Sequence, residues 1–560
     1  MPKEKTLKKE SFMQAVLSLM LSQVLIKILG LIYKLYLTNK EGFGDEGNAI
    51  YSSGFQIYAL LLTLSSIGVP NAISKLVSER LALGDTKGAH RIFKIAFATF
   101  AVIGGMGTLI LFFGANYISN VVLQIPEAEY TLVALSPSIF FVAIASVIRG
   151  YFNGRQNMKA TANSQTLEQV FKTTLTIAIV ALIATWSGSN TVIMAAGANL
   201  ATTLSTFLSF AYLYLYYKSR KNEIAQDIKS GTNYEHYSIK TVIKRILSVS
   251  LPISLSSLMS AINKNIDAMT VVSGLKGFMT EAAAKMQYGI LSGKVDTLTS
   301  LPLSFNIAFA TALVPTISSC KAKGDIETAS KRTSFSLLIT MLIGLPCTIG
   351  MFVFAEPILN LLFPNAPHGA LLLQISALTI IFTVLAQTVN GALQGLGKIM
   401  IPAIALGTGV FAKLILNLIL VPIPEIGANG AAIASVVCHM ISFTIGFSVL
   451  RKNMKLNLNF GKFVTKPILA TAMMTICSYY IYIILSTRIA ENLATIISIG
   501  IAVIIYAIAV IVLQVLTKEE IYMLPKGEKI YKALVKVGLT NWGANKKIKP
   551  KIDEKSGSLQ

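Results

Sequence analysis

Ionisable side chains inside long apolar runs are the residues whose chemistry most needs explaining. The runs contain the lysines Lys27, Lys34, Lys172, Lys264, Lys294 and Lys413 and the acidic residues Glu168, Asp267 and Asp296. An ionisable group at the centre of a bilayer costs about 2.5 to 3.5 kcal/mol on insertion scales, so it should face a protein interior. Lysine binds phosphate as a point charge, and a lysine-lined interior would therefore accept an anion.

The first run places its polar residues on one helical face. Gln23, Lys27, Gly30 and Lys34 lie at i, i+4, i+7 and i+11, which is one stripe of an α-helix. At 1.5 Å per residue the two lysines are about 10 Å apart along the axis. We predict an interior, functional role for Lys27, whereas Lys34 either shares it or extends its ammonium to the membrane surface.

A second polar face repeats this spacing with Ser256, Ser260, Asn263 and Asp267, and Lys264 borders it. Lys264 precedes Asp267 by three residues, so the two can pair on one helix. The pattern therefore allows either a self-neutralised structural pair or a lysine directed at a ligand.

The remaining charges differ in whether a local partner exists. Residues two apart on a helix point about 200° apart, so Lys294 and Asp296 cannot easily neutralise each other, and at least one needs a distant partner. Glu168 and Lys172 have the favourable i, i+4 order and predict a local pair or a second functional charge. Lys413 has no acidic neighbour within a turn, and its role is open.

These faces predict an anion site. We expect the substrate-binding charges to be Lys27, Lys34, Lys264 and Lys294, the charge partners to be Asp267, Asp296 and Asn263, and the secondary candidates to be Glu168, Lys172 and Lys413. Four lysines against two aspartates leave two positive charges, which suits an anion such as a pyrophosphate and repels cations.

The elements that must position these residues are membrane helices. The chain has 560 residues, 53% of them hydrophobic, and a mean hydropathy of +0.64, which predicts an all-α polytopic membrane protein. Fourteen runs have the length that crosses about 30 Å of hydrocarbon. They are 12–37, 48–74, 95–113, 130–148, 163–185, 191–217, 246–270, 286–318, 333–355, 369–394, 399–420, 428–450, 467–486 and 493–517.

The basic residues predict the topology. With the N-terminus inside, every basic connection falls on the cytoplasmic side, as expected for lysine and arginine, and both termini are cytoplasmic. The net charge of +23 then reflects topology and attraction to anionic inner-leaflet lipid rather than nucleic-acid binding. The first run is too long for a cleaved signal peptide, so we expect it to be the first span.

The chain also resembles itself at an offset of about 240 residues. Gly84 and Asp85 recur as Gly324 and Asp325, and the run 149–154 aligns with 390–395. The offset contains six spans, which predicts two parallel six-helix bundles related by a pseudo-twofold axis along the membrane normal, with a central cavity. The predicted domains are an N-terminal bundle (1–217), a cytoplasmic linker (218–245), a C-terminal bundle (246–450), two additional spans (451–517) and a basic cytoplasmic tail (518–560).

The tail contains one candidate element. Ile530, Leu534 and Val537 lie at i, i+4 and i+7 opposite three lysines, a pattern that predicts a basic helix on anionic lipid. The sequence has no phosphate-binding glycine loop, zinc motif or nucleophile elbow. We therefore expect no enzyme, catalytic residue, cofactor or metal, no nucleic-acid partner, and a monomer.

Four runs carry a family resemblance: IKILGLIYKLYL at 26–37, GDEGNAIY at 44–51, SSIGVPNAISKLVSE at 65–79 and LPLSFNIAFATALVPTISS at 301–319. They resemble the stage V sporulation protein B group of Gram-positive bacteria, part of the multidrug/oligosaccharidyl-lipid/polysaccharide (MOP) exporter superfamily that includes MurJ-type lipid II flippases. The resemblance implies a cytoplasmic-membrane protein that flips an undecaprenyl-pyrophosphate-linked glycan, such as lipid II, outward by alternating access. It also implies that the last two spans form a groove for the lipid tail.

The resemblance carries over to a few residues. Lys27 matches a basic residue of the MurJ type, and Lys34 does so approximately. On the eighth span Asp296 matches, but Thr297 stands where the family has an arginine, and Lys294 would supply that charge. Some relatives bind sodium on spans seven and eleven.

Asp267 could contribute to such a sodium site. Lys413, on span eleven, argues against an intact one.

Other functions remain open at this point. A drug exporter of the same superfamily would generally have twelve spans and acidic coupling groups, and an exporter of capsule or teichoic-acid precursors would need the same cavity. A membrane glycosyltransferase would need a substantial outer domain, for which the predicted outer loops, such as 186–190, are too short.

Overall fold

The computed structural model describes residues 12–66, 68–155, 157–186, 188–230, 238–456 and 458–523, together with residues 531, 532 and 535. All regular secondary structure in these residues is helical. The predicted basic helix of the tail lies almost wholly outside the described residues.

The helices follow one another with short connections. Three π-helical turns, Ile118–Val122, Ile290–Val295 and Gly461–Thr465, extend or join them. The α-helices are α1 (Phe12–Asn39), α2 (Gly44–Ser66), α3 (Val69–Ala82), α4 (Thr86–Tyr117), α5 (Ala128–Gly154), α6 (Lys159–Trp186), α7 (Thr191–Ser219), α8 (Lys221–Ser230), α9 (Ile239–Leu275), α10 (Glu281–Gly289), α11 (Asp296–Ala322), α12 (Ile326–Val353), α13 (Ala355–Leu362), α14 (Ala370–Gly395), α15 (Met400–Leu420), α16 (Asn429–Asn453), α17 (Lys466–Ser486), α18 (Glu491–Val512) and α19 (Lys518–Met523).

Ten helices in the described part of the chain are long and apolar enough to cross a membrane. They coincide with ten of the fourteen predicted spans and make this a multi-pass membrane protein. The other four predicted spans correspond to α1, α2 with the start of α3, α9, and the continuous helix formed by α10, the second π turn and α11. The run 48–74, predicted as one span, is divided between α2 and α3. These helices carry most of the charged residues singled out above, and their passage through the membrane remains a prediction.

The chain divides into two compact units, residues 1–457 and 458–560. In the first unit α5 packs on α4 and α7, and α14 packs on α11, α12 and α16. Helix α9 contacts α2, α3 and α4 as well as α15. In the second unit α17 packs along α18.

The repeated Gly-Asp motif has the same local structure in both copies. Gly84 and Gly324 have φ values of +78° and +72°, which favour glycine because other residues are strained there. Asp85 and Asp325 then cap α4 and α12, each accepting a hydrogen bond from the backbone N–H three residues later. The motif therefore ends one helix and begins the next at both positions.

The second repeated run makes equivalent helix contacts. Ser78 Oγ donates to Gly154 O at 2.9 Å, and Ser318 Oγ donates to Gly395 O at 3.1 Å. A Cβ on either glycine would lie within 3 Å of the facing helix. The pairs α3–α5 and α11–α14 therefore pack alike, in agreement with the internal repeat.

The first part of the predicted cytoplasmic linker forms a helix, α8 (Lys221–Ser230), that packs on the preceding helices. Helix α8 buries Ile224, and the Asp227 carboxylate accepts a hydrogen bond from Arg155. Thr86 Oγ1 donates to the Asp227 carbonyl at 2.8 Å. Helix α9 then begins at Ile239, so the connection is shorter than 218–245.

Candidate functional site

Lys27 and Lys264 lie on exposed surfaces of α1 and α9, close enough for their charges to repel. The Nζ atom of Lys264 is 4.0 Å from Oδ2 of Asp296, and these side chains are 52% and 37% exposed. Of the two alternatives that the sequence allowed, the local pair of Lys264 with Asp267 is not the one observed, since Asp267 pairs with Lys413. The packing of α9 against the continuous helix that contains Asp296 brings this carboxylate close to Lys264. The distance between the two charged groups is long for an ion pair, and both are accessible to a ligand.

Lys34 is buried between α1 and α2. Its Nζ atom donates to Asn48 Oδ1 at 3.3 Å and Ser52 Oγ at 3.4 Å, and lies 4.4 Å from the centre of the Tyr51 ring. These partners are all neutral. They solvate the ammonium group without cancelling its charge, so Lys34 does not extend to a surface.

Lys172, on α6, is buried against aromatic rings. Its Nζ atom lies 4.4 Å from the Phe55 ring centre and 5.4 Å from the Tyr33 ring centre. Its predicted partner, Glu168, instead accepts a hydrogen bond from Arg149 at 2.8 Å. The predicted i, i+4 pair is therefore wrong, because the guanidinium of a neighbouring helix takes the carboxylate. A desolvated cation over an aromatic face gains about 2 kcal/mol.

These charges form one group. Lys34 interacts electrostatically with Lys172, Lys264 and Asp296, and Lys27 with Lys264. We call Lys27, Lys34, Lys172, Lys264 and Asp296 the cationic cluster. The cluster has four lysines and one carboxylate, so it has an excess of positive charge that would attract an anion.

Asp267 and Lys413 are paired in a buried network between α9 and α15. Lys413 is 1% exposed, and its Nζ atom donates to Asp267 Oδ2 at 2.6 Å and to Asn263 O at 2.9 Å. Asn417 Nδ2 donates to Asp267 Oδ1 at 3.0 Å and to Thr270 Oγ1 at 2.9 Å. The ammonium group thus occupies the position beside the carboxylate that a bound cation would need.

Lys294, predicted as a substrate-binding charge, is instead buried in a contact with other protein groups. Its side chain is 0% exposed, and Nζ donates to Asp45 Oδ2 at 2.9 Å, Ala366 O at 2.7 Å and His368 O at 2.9 Å. The π-helical turn Ile290–Val295 contains it, and such turns are frequent at functional sites. We call this arrangement the Lys294 latch.

Glycines allow the helices at the latch to touch. A Cβ on Gly289 would lie 1.7 Å from Asp45 O, and one on Gly293 would lie 2.5 Å from Asn48 Cγ. Two small residues four apart permit close approach of membrane helices. Helix α2 and the α10 region are therefore in backbone contact, which a larger side chain would prevent.

Other contacts near the latch join the N-terminal and C-terminal parts of the first unit. Asn39 Nδ2 donates to Leu362 O at 2.8 Å, and Asn365 Nδ2 donates to Asn39 O at 2.7 Å. Lys285 Nζ lies 2.5 Å from Glu127 Oε1. These bonds and the latch hold together the helix ends beside the α1–α2 connection.

A multi-pass membrane fold that is helical in every described regular element, with an internal repeat and a group of lysines, is typical of a membrane transporter. A family model described as "Polysaccharide biosynthesis protein" matches residues 12–321, more than half of the chain, and a MatE model matches residues 293–419. The chain therefore belongs to the polysaccharide biosynthesis protein family, and within the MOP superfamily it is a transporter of the stage V sporulation protein B and MurJ group.

Individual relatives agree with this assignment. The chain is 28% identical over 532 residues to stage V sporulation protein B of Bacillus subtilis, covering 92% of this chain and 98% of that protein. It is 25% identical over 449 residues to the lipid II flippase MurJ of the same organism, covering 78% and 81%.

Solved structures show the same fold. An inward-facing multidrug MATE transporter of the MOP superfamily matches with a TM-score of 0.65 at 16% identity, covering 79% of this chain and 98% of that one. An inward closed MurJ matches with a TM-score of 0.65 at 15% identity, covering 88% and 97%.

Proposed function

We propose that this transporter flips an undecaprenyl-pyrophosphate-linked glycan, specifically the peptidoglycan precursor lipid II, across the cytoplasmic membrane by alternating access. The cationic cluster is the observation that carries the proposal. Its lysines outnumber its carboxylates four to one, which suits the clustered negative charge of a pyrophosphate. The relationship to a lipid II flippase supports the same substrate.

The cluster suggests a division of roles. Lys27 and Lys264 are exposed and would meet the pyrophosphate first. The 4.0 Å ion pair between Lys264 and Asp296 is long and partly exposed, so it contributes little to stability. An arriving phosphate would therefore displace Asp296 from Lys264. Lys34 and Lys172, fixed by neutral groups and aromatic rings, would supply charge from behind.

Alternating access requires an end that closes and reopens, and the Lys294 latch is our candidate. The proposed arrangement has fourteen spans with both termini cytoplasmic, so the latch lies at the outer end. Two six-helix bundles, 1–217 and 246–450, would rock about their pseudo-twofold axis, and opening outward would separate Lys294 from Asp45. In this proposal α17 and α18 (within 451–517) accommodate the lipid tail, the basic tail (518–560) binds anionic lipid, and the protein acts as a monomer.

Two other transport functions have specific support. The polysaccharide biosynthesis family favours export of another lipid-linked polymer precursor, such as one for capsule or teichoic acid. The MatE match and the MATE structures favour drug export. An excess of lysines would repel the cationic compounds that a drug exporter with acidic groups accepts, which makes that function the weaker one.

Lipid translocation by variants of the cluster tests the proposal. Loss of a hydrogen bond to a charged group removes about 1.5 to 3 kcal/mol, so Lys27→Ala and Lys264→Ala should each abolish or strongly slow lipid II flipping while the protein remains in the membrane. Lys398→Ala, an exposed lysine outside the cluster, is the matched control.

Two readouts separate the candidate functions. The first is restoration of growth to cells depleted of their lipid II flippase. The second is flipping by vesicles that contain the purified protein and lipid II, an undecaprenyl-pyrophosphate-linked capsule repeat or a cationic dye. Normal lipid II flipping by both alanine variants would refute the role of the cluster. Flipping of the capsule repeat or the dye alone would refute lipid II as the substrate.

A further inference from the structure

The second unit contains a basic pocket at the end where the chain enters α17 and leaves α18. Its cavity has a volume of about 450 Å³, and three of its lining residues are lysines: Lys462, Lys466 and Lys518. That size falls within the range of small-molecule sites, and it is large enough for a glycerophosphate headgroup. The pocket shares no residue with the cationic cluster.

One of the three lysines is neutralised locally. Lys462 Nζ donates to both carboxylate oxygens of Glu520 at 2.7 and 2.6 Å. The backbone N–H of Thr517 also donates to Glu520 Oε2 at 2.8 Å. This carboxylate is therefore fully used in fixing the wall of the pocket.

The other two lysines have neutral partners. Lys466 Nζ donates to the carbonyl of Gln514 at 3.1 Å, and Lys518 Nζ lies 5.0 Å from the Tyr531 ring centre. Neither contact cancels a positive charge. Among the described residues at the pocket, three lysines stand against one committed carboxylate, an excess of positive charge that favours an anionic ligand.

The surroundings of the pocket resemble a membrane surface. Phe460, which directly precedes the π turn before α17, is 72% exposed, and Tyr522 is 45% exposed. Apolar side chains also project from the helices above, such as Ile476 at 57% and Val503 at 65% exposure. Aromatic residues mark the interface between hydrocarbon and water, so the pocket opens where lipid headgroups lie.

We propose that this pocket binds the phosphate headgroup of an anionic phospholipid, with Lys466 and Lys518 as its donors. Basic pockets between membrane helices recognise such headgroups. The site gives a defined pocket to the anionic-lipid binding proposed for the basic tail, whose first residue is Lys518. It does not depend on the transport function, because it shares no residue with the cationic cluster and holds a resident lipid rather than a transported one.

Native mass spectrometry of the purified full-length protein tests the site. Phosphatidylglycerol and zwitterionic phosphatidylcholine are added separately, and the bound copies are counted. The double variant Lys466→Gln/Lys518→Gln should retain at least tenfold less phosphatidylglycerol than the unmodified chain. The control Lys331→Gln/Lys398→Gln loses the same charge on exposed residues of the first unit and should retain it normally.

Each other outcome overturns the proposal. Equal retention of the two lipids would show that no headgroup is recognised, and undiminished retention by the double variant would place the lipid elsewhere. If inorganic phosphate displaces the bound lipid as well as phosphatidylglycerol does, the pocket is a free-phosphate site. Lys466→Arg/Lys518→Arg, which keeps the charge, should bind normally and guards against a folding defect. Lys27→Ala should also bind normally, which separates failure here from failure of the transport function.

Discussion

Removal of one charge from the Lys294 latch should destabilise the protein strongly. Lys294 is 0% exposed and Asp45 is 2% exposed at the side chain, with 2.9 Å between Nζ and Oδ2. Lys294→Met would leave a buried carboxylate, and Asp45→Leu would leave a buried ammonium group. Breaking a buried pair in this way typically costs about 3 to 5 kcal/mol, because the surviving charge has lost its partner.

The double variant has a different expected outcome. Asp45→Leu with Lys294→Met buries no charge, and the main remaining loss is the ammonium donor to the carbonyls of Ala366 and His368. An unsatisfied buried acceptor costs about 1 to 3 kcal/mol. The double variant should therefore be more stable than the sum of the single changes predicts, by at least about 2 kcal/mol.

Unfolding by SDS from mixed micelles measures this coupling in a double-mutant cycle. The exposed pair Lys331 and Glu327 is the matched control, since its 2.7 Å separation is shorter but the side chains are 68% and 79% exposed. Such a pair should contribute under about 1 kcal/mol. A coupling below about 0.5 kcal/mol at the latch, or one equal to the control, would refute the reasoning that burial makes this pair strong.

A second readout concerns access through the latch. Thr38 is 1% exposed and its side chain accepts a hydrogen bond from Asn48, beside the latch. Thr38→Cys, in a chain lacking its native cysteines, should react slowly with a membrane-impermeant maleimide and faster after Lys294→Met. Unchanged labelling would mean that the latch does not control this end.

Three further changes test other contacts. Gly289→Ala should destabilise the protein and slow transport, since its Cβ would overlap the facing helix, whereas Gly105→Ala, which meets open space, should raise thermal stability slightly. Lys413→Met should destabilise the chain by about 3 to 5 kcal/mol by stranding Asp267, and restoration of stability by sodium ions would show that a cation replaces the ammonium group. A hydrogen bond from Lys285 holds the pKa of Glu281 below its ordinary value of 4.5. The contribution of this contact to folding stability is fully present above pH 4.5 and is lost as the pH falls through the lowered pKa. Glu281→Gln should remove this acid-side dependence from a plot of melting temperature against pH.

The intramembrane lysines could be recognised from sequence alone because a charge in an apolar run is visible without a structure. Their partners could not. Lys413 bonds to Asp267 across 146 residues, and Lys294 to Asp45 across 249. Local rules of helix spacing say only which residues are close on one helix, and a carboxylate on a neighbouring helix can approach with better geometry.

The angular spacing of side chains on a helix correctly excluded one contact. Lys294 and Asp296 were expected to point in different directions, and the prediction that they do not pair is confirmed, since they contact Asp45 and Lys264 respectively. Asp45 was missed because it precedes the apolar run at 48–74. The need of Lys294 for a distant partner was the signal that could have directed attention to it.

The pattern of pairing explains why the cationic cluster stands apart. Asp45, Asp267 and Glu168 are each committed to one cation on another helix, so these interior carboxylates are not available to the lysines of the cluster. Burying an uncompensated ammonium group is unfavourable. The neutral hydrogen-bond acceptors of Lys34 and the aromatic rings beside Lys34 and Lys172 offset only part of that penalty. An arrangement selected for stability alone would have placed acids beside them, as it did beside Lys413. Four lysines with one long, exposed carboxylate contact therefore agree with our proposal of a site whose counter-charge arrives with its ligand.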